Sequence, residues 1–144
     1  MACPFCEVNE QRHPILEKRD HVYIMPSNPR LVYGHLLIIP IRHIERPTDL
    51  RTDEQYELFD TVIELQEKIL TLKPGMGCDV RQHSRPFLPE SNVKVDHIHW
   101  HLLPRELDDE LYLRTQIFER DVFRMLSSEE MQQEAQRLRQ LFMF

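Results

Sequence analysis

Glycine is scarce. There are three in 144 residues, Gly34, Gly75 and Gly77, about 2% where ~7% is usual. Neither a P-loop nor the dinucleotide GxGxxG can be written with glycines so placed, which excludes those two phosphate cradles. Long apolar runs are missing as well. The longest that matters, Leu36 to Ile39, falls far short of the ~20 residues of a membrane span, and no charged-then-apolar leader opens the chain. Basic charge is outweighed: 18 Lys and Arg against 24 Asp and Glu leave a net −6. A nucleic-acid polymer demands a basic stripe, so neither it nor a membrane surface is an expected partner. Cysteines are few and odd in number, at Cys3, Cys6 and Cys78, which excludes a secreted disulfide scaffold. These absences predict a cytoplasmic chain with reduced thiols. At a soft prior of about 150 residues per domain, residues 1–144 are expected to form a single domain.

The order of elements is legible. His21 to Met25 reads as a strand followed by a Pro-Ser-Asn-Pro turn, and Leu36 to Ile39 as a second strand closed by Pro40. Thr52 and Gln55 suggest a capping box for a helix from about Asp53 to Leu72, in which Leu58, Val62, Leu65, Ile69 and Leu72 recur at helical spacing. Further strands are expected from about Met76 to Gln82 and from Asp96 to Leu103, the latter ended by Pro104. A last helix starts near Ser127, boxed by Glu130, with Met131, Ala135, Leu138 and Phe142 as its core stripe. The acidic stretch Glu106 to Glu110 reads as a solvated loop, and Cys78 as a small buried residue. Strands joined by turns around one long helix predict the α+β class with an antiparallel sheet.

The chemistry gathers in Asp-His-Ile-His-Trp-His-Leu-Leu-Pro, residues 96–104. A strand alternates faces, so His97, His99 and His101 share one side, with Ile98, Trp100 and Leu102 on the core side. One strand histidine is usually structural. Three on one face are costly to bury unpaired, and the row suits either a metal with three protein ligands or a nucleophilic imidazole helped by its neighbours. Spacing does not choose between these.

The row resembles the signature of the histidine triad (HIT) superfamily. So do Cys3-Pro-Phe-Cys6, the run Gly34-His35-Leu-Leu-Ile-Ile-Pro40-Ile-Arg-His43, and Pro104-Arg105 after the row. These occur in the family's order over residues 3–105, leaving 106–144 as a C-terminal helical extension. The resemblance implies a HIT-like fold: an antiparallel sheet of about five strands, one long helix and a C-terminal helix. It also implies hydrolysis or transfer of nucleoside monophosphate groups from dinucleoside polyphosphates, phosphoramidates or related nucleotides, through a nucleotidyl-histidine. By position His99 is the nucleophile and His101 supports the leaving group. By the same resemblance Cys3, Cys6, His43 and His97 would be the ligands of a structural zinc. His35 would either hydrogen-bond within the triad face or simply pack, and Asn28 would face the ribose. His13, His21 and His83 match no role and are assigned to solvated surface. Related proteins commonly dimerise, so a homodimer is expected.

One departure stands out. Many members carry Gly-Gln-Ser or Gly-Gln-Thr before the triad; here the stretch is Asn92-Val93-Lys94-Val95. Val93 offers no hydrogen bond, and Lys94 reaches a phosphate only if a turn or bulge breaks the alternation. This motivates an alternative reading, a nucleotide-binding sensor with negligible turnover.

Overall fold

In a computed structural model that describes residues 2–143, these form two compact units that divide between Arg114 and Thr115. The first holds a five-stranded antiparallel sheet of β1 (Glu17–Lys18), β2 (Val22–Pro26), β3 (Leu36–Pro40), β4 (Gly77–Gln82) and β5 (Trp100–Arg105), ordered β1-β2-β3-β5-β4. The long helix α1 (Thr52–Leu70) lies between β3 and β4 in sequence, and α2 (Glu110–Thr115) follows β5. The α+β class and the antiparallel sheet are as expected. No described helix is long and apolar enough to cross a membrane.

The two faces of the sheet differ. Val22, Ile24, Ile38, Trp100 and Leu102 pack with Leu58, Val62 and Ile69 of α1 in one cluster. Tyr23, Met25, Leu37 and Ile39 form the other, covered by Phe5, Val8, Ile15 and Ile41 rather than by a helix. The N-terminal segment thus closes one face of the sheet. Cys78 is half-buried against the α1 cluster, and burial pushes its thiol up to about 11.

Several boundaries differ from the expected ones for local reasons. The triad strand begins at Trp100, not Asp96, and continues through Pro104 to Arg105. Extending the Leu36↔Leu102 register would set Pro40 opposite Ile98, and proline has no N–H for the ladder. Ile98 N–H instead donates to the Ile44 carbonyl at 2.7 Å. Helix α1 is capped one residue earlier than Thr52 and Gln55 suggest: the Glu54 carboxylate accepts the Arg51 N–H at 3.2 Å. Leu72 lies past the end of that helix and is exposed. Within the acidic stretch, Asp109 is no solvated side chain. It pairs with Arg105 at 2.6 Å and accepts the Tyr112 N–H at 3.0 Å, capping α2.

Gly34 occupies φ +79°, and a Cβ there would sit 3.1 Å from Pro104 Cγ. Positive φ and close approach both demand glycine, and this turn delivers His35 to the start of β3.

The second unit contains α3 (Ser128–Phe142). Ser127 Oγ accepts the Glu130 N–H at 3.1 Å, and Glu130 accepts the Ser127 N–H at 3.4 Å, as the capping-box pattern predicts. The stripe is a correction. Met131, Leu138 and Phe142 are exposed and α3 holds no buried residue, because a unit of about 30 residues is too small to enclose a core.

Candidate active site and metal centre

Two constellations share the face of the sheet opposite α1. The first is built by the N-terminal turn, where the Cys6 and Glu7 N–H groups both donate to the Cys3 carbonyl at 3.1 Å and turn the two sulfurs together. His97 Nδ1 lies 3.4 Å from Cys3 Sγ and 3.6 Å from Cys6 Sγ, and His43 Nδ1 lies 3.4 Å from Cys6 Sγ. All four ligand atoms fall within 4.8 Å of one another. A tetrahedral ion at ~2.3 Å from sulfur and ~2.0–2.1 Å from nitrogen sets S and N about 3.6 Å apart, so the spacing fits a metal ion. The outer contacts fit too. His97 Nε2–H donates to the Pro40 carbonyl at 2.8 Å, which leaves Nδ1 unprotonated toward the sulfurs. His43 Nε2 lies 3.3 Å from Glu45 Oε1. Burial and the neighbouring Cys3 push the Cys6 thiol up to about 11. Two sulfurs so close favour their thiolate forms only beside a cation.

The second constellation surrounds His99 and His101. The His99 and His101 rings meet edge-on, 4.8 Å between centroids. His99 Nδ1–H donates to the His97 carbonyl at 2.7 Å, so Nε2 carries the lone pair. Phe5 stands between the two constellations, its ring 5.8 Å from that of His97 and 5.0 Å from that of His99. Its carbonyl accepts the Tyr23 hydroxyl at 2.7 Å.

His35 is 4% exposed and hydrogen-bonded rather than merely packed. Its Nδ1 accepts the Leu31 backbone N–H at 3.1 Å, so its proton resides on Nε2, which donates to His101 Nδ1 at 2.9 Å. His101 in turn carries its own proton on Nε2. A backbone amide therefore sets the tautomers of two imidazoles in series.

All of these rings are held neutral at pH 7. Burial lowers His101 to about 3, reinforced by His99, His35, His83 and Arg81, and lowers His35 to about 4, reinforced by Arg81 and His99. His99 is lowered by burial, against the opposing bond to the His97 carbonyl. A sign follows for stability. In the unfolded chain these rings titrate near ~6.5, so below that pH the unfolded state binds protons that the folded state excludes, and stability is lost as pH falls. The urea midpoint should decline from about pH 6.5 toward the folded values of about 4 for His35 and about 3 for His101, and less steeply in His101→Gln. A slope identical in the two proteins would contradict neutral burial of His101.

The remaining residues divide. Asn28 is exposed in the turn between β2 and β3. Lys94 sits in a tight turn bridged to Ser91 and is ion-paired with Asp96. His21 is half-buried with its ring 3.4 Å from Asp53, and His13 has a buried Nδ1 without a hydrogen-bond partner among the described residues, so neither is plain surface. For His83 the sequence predicts solvated surface. It is exposed, yet its ring stacks on His101 at 5.1 Å and 30°. Arg81, not singled out from the sequence, pairs directly across from His101 in the β4–β5 ladder. The alternation Asp79, Arg81, His83 was readable as one face; the register that sets it beside His101 was not.

A family model for the HIT domain matches residues 8–108. This chain belongs to the HIT family. A bifunctional bis(5'-adenosyl)-triphosphatase/adenylylsulfatase FHIT from Arabidopsis thaliana is 29% identical, over 83% of this chain and 73% of its own. Among solved structures, a histidine triad nucleotide-binding protein from Candida albicans superposes with a TM-score of 0.66 at 19% identity, over 98% of this chain and 97% of that one. A HIT family protein from Bacillus subtilis gives 0.66 at 20%, over 97% and 96%. The structures share the HIT fold. Family membership supports nucleotide hydrolase or transferase chemistry, and the cysteine pair lies ahead of the matched segment.

Proposed function

We propose that this HIT protein hydrolyses or transfers nucleoside monophosphate groups, attacking the α-phosphorus of dinucleoside polyphosphates, phosphoramidates or related nucleotides. The observation that carries the reading is the bond from His99 Nδ1–H to the His97 carbonyl. It leaves a neutral Nε2 lone pair on the central ring, held in one orientation with His101 alongside. In the first step the Nε2–P bond forms while the bond from phosphorus to the leaving group breaks with its electron pair. The new positive charge on the ring is stabilised through Nδ1–H. His101, protonated at Nε2, donates a hydrogen bond to the departing atom, which leaves as a phosphate anion or, where it is an amine nitrogen, takes up a proton from solvent. Water then bonds to phosphorus, the N–P pair returns to His99, and the water proton passes to solvent. Such transfers rest on positioning and electrostatics. Asn28 and His35 support substrate and triad respectively. Lys94 meets a phosphate only if it leaves Asp96. Acid quench of protein incubated with a labelled adenine or guanine nucleotide tests the reading by trapping nucleotidyl-protein.

We assign a structural zinc to Cys3, Cys6, His43 and His97, whose thiolates and imidazoles suit a closed tetrahedral site. Its part is to pin the N-terminal segment across the sheet. A reducing compartment such as the cytoplasm suits these thiols.

A homodimer is the assembly we propose. Strand β4 is an edge of the sheet, and α1, which packs against it, exposes Tyr56, Phe59 and Ile63. Open edges with apolar neighbours favour pairing with a second copy. Sedimentation equilibrium at micromolar concentration should give twice the chain mass; a monomer would remove the assignment.

A nucleotide-binding sensor is the second reading. It is favoured by Val93, 74% exposed and without a hydrogen-bonding side chain, beside a Lys94 already paired. Tight nucleotide binding with no turnover would select it.

A further inference from the structure

Strand β4 and the residue that follows it bring a cationic and an imidazole side chain to the triad that no role above uses. Arg81 lies directly across the ladder from His101, and the His83 ring stacks on that of His101, which also meets His99 edge-on. Asp79 Oδ2 accepts Arg81 Nη2 at 3.0 Å and also accepts Arg105 Nη1 at 2.7 Å. One carboxylate is thus shared by two guanidinium groups and orients Arg81 without fully neutralising it. Among the described residues Arg81 Nε and Nη1 and both His83 ring nitrogens have no hydrogen-bond partner. The positive charge of Arg81 reaches His35, His83 and His101, contributing to the lowering of each.

The protonation of the site adds a chemical constraint. His101 is neutral, and its Nδ1 is occupied by the His35 proton. It offers a hydrogen bond but no full proton without becoming an imidazolate. A leaving amine must take up a proton as it departs, whereas a leaving phosphate departs as a stable anion and asks only for nearby positive charge and donors.

We propose that Arg81 and His83 form a leaving-group subsite that selects nucleotides whose α-phosphorus is bonded, through oxygen, to a further phosphate. The inference rests on the roles given above to His99 and His101. Arg81 supplies two guanidinium donors and charge to the second phosphate, and His83 supplies one ring N–H. As the P–O bond breaks, its electron pair goes to the bridging oxygen, and the phosphate anion so formed is held by these donors.

The test compares diadenosine triphosphate, which releases a phosphate-bearing product, with an adenosine phosphoramidate, which releases an amine. Charge-assisted hydrogen bonds lost from a desolvated site change rates by about 10- to 100-fold. Arg81→Gln should lower the kcat/KM preference for the triphosphate over the phosphoramidate by that factor, and His83→Ala by about 10-fold. A parallel fall on both substrates, or an unchanged ratio, would overturn the subsite. A second measurement is independent of turnover. With His99→Asn present, adding Arg81→Gln should weaken binding of diadenosine triphosphate about 10-fold or more relative to binding of AMP, by calorimetry. Equal affinities in the single and double variants would overturn the subsite even if the wild-type protein turns over neither substrate, which would count against the covalent reading instead.

Discussion

His99→Asn should abolish turnover while fold, metal content and nucleotide affinity persist. The proposed nucleophile is uncharged, fixed by the His97 carbonyl at 2.7 Å, and flanked edge-on by His101. Asparagine retains a donor for that carbonyl but has no nucleophilic nitrogen. Water in the same place lacks both the orientation and the basicity of Nε2, so the loss should be on the order of ~10³ or more in kcat. Rapid acid quench with labelled nucleotide should trap an acid-labile adduct on the parent protein and none on the variant. Activity retained within a small factor on the best substrate would end the covalent mechanism. A comparable loss in His101→Gln with the adduct still formed would place His101 in the second step rather than the first.

The second large effect concerns metal. Carefully purified protein should hold about one zinc per chain, and Cys6→Ser should hold none. The N-terminal segment covers Tyr23, Met25, Leu37 and Ile39 through Phe5 and Val8, and without an ion the two sulfurs have no cation to favour their thiolates. Loss of a structural metal belongs with changes above ~4 kcal/mol. For a chain of this size that is about 10 °C in Tm. Phe5 touches the His99 ring, so kcat should fall as well, though by far less than in His99→Asn. Metal analysis that finds none in reduced wild-type protein would defeat the assignment.

How far the sequence could carry these conclusions depends on the range of each interaction. The facing of His97, His99 and His101 was legible because side-chain alternation is a property of extended backbone, and it survives ahead of Trp100, where ladder pairing has not begun. The buried Ile98, Trp100 and Leu102 answer it on the other face. The gathering of Cys3 and Cys6 with His43 and His97 was not derivable from spacing, since 94 residues separate Cys3 from His97; the family resemblance supplied it. Arg81 and His83 were missed because their relation to His101 depends on the register of β4 against β5, which no local pattern encodes. The stripe of α3 shows the converse. Helical spacing reveals that a face is apolar and says nothing of what covers it.

The bond from the Leu31 amide to His35 Nδ1 has a consequence for how this site can vary. The orientation of His35 and His101 starts from a group present in every residue except proline. Position 31 is thus chemically essential and nearly free in side-chain identity. Its information is carried by the path of the chain around Gly34 rather than by a letter in the sequence. Drift at Leu31 leaves the proton order untouched. A change in the turn's shape would reverse that order without altering a single histidine.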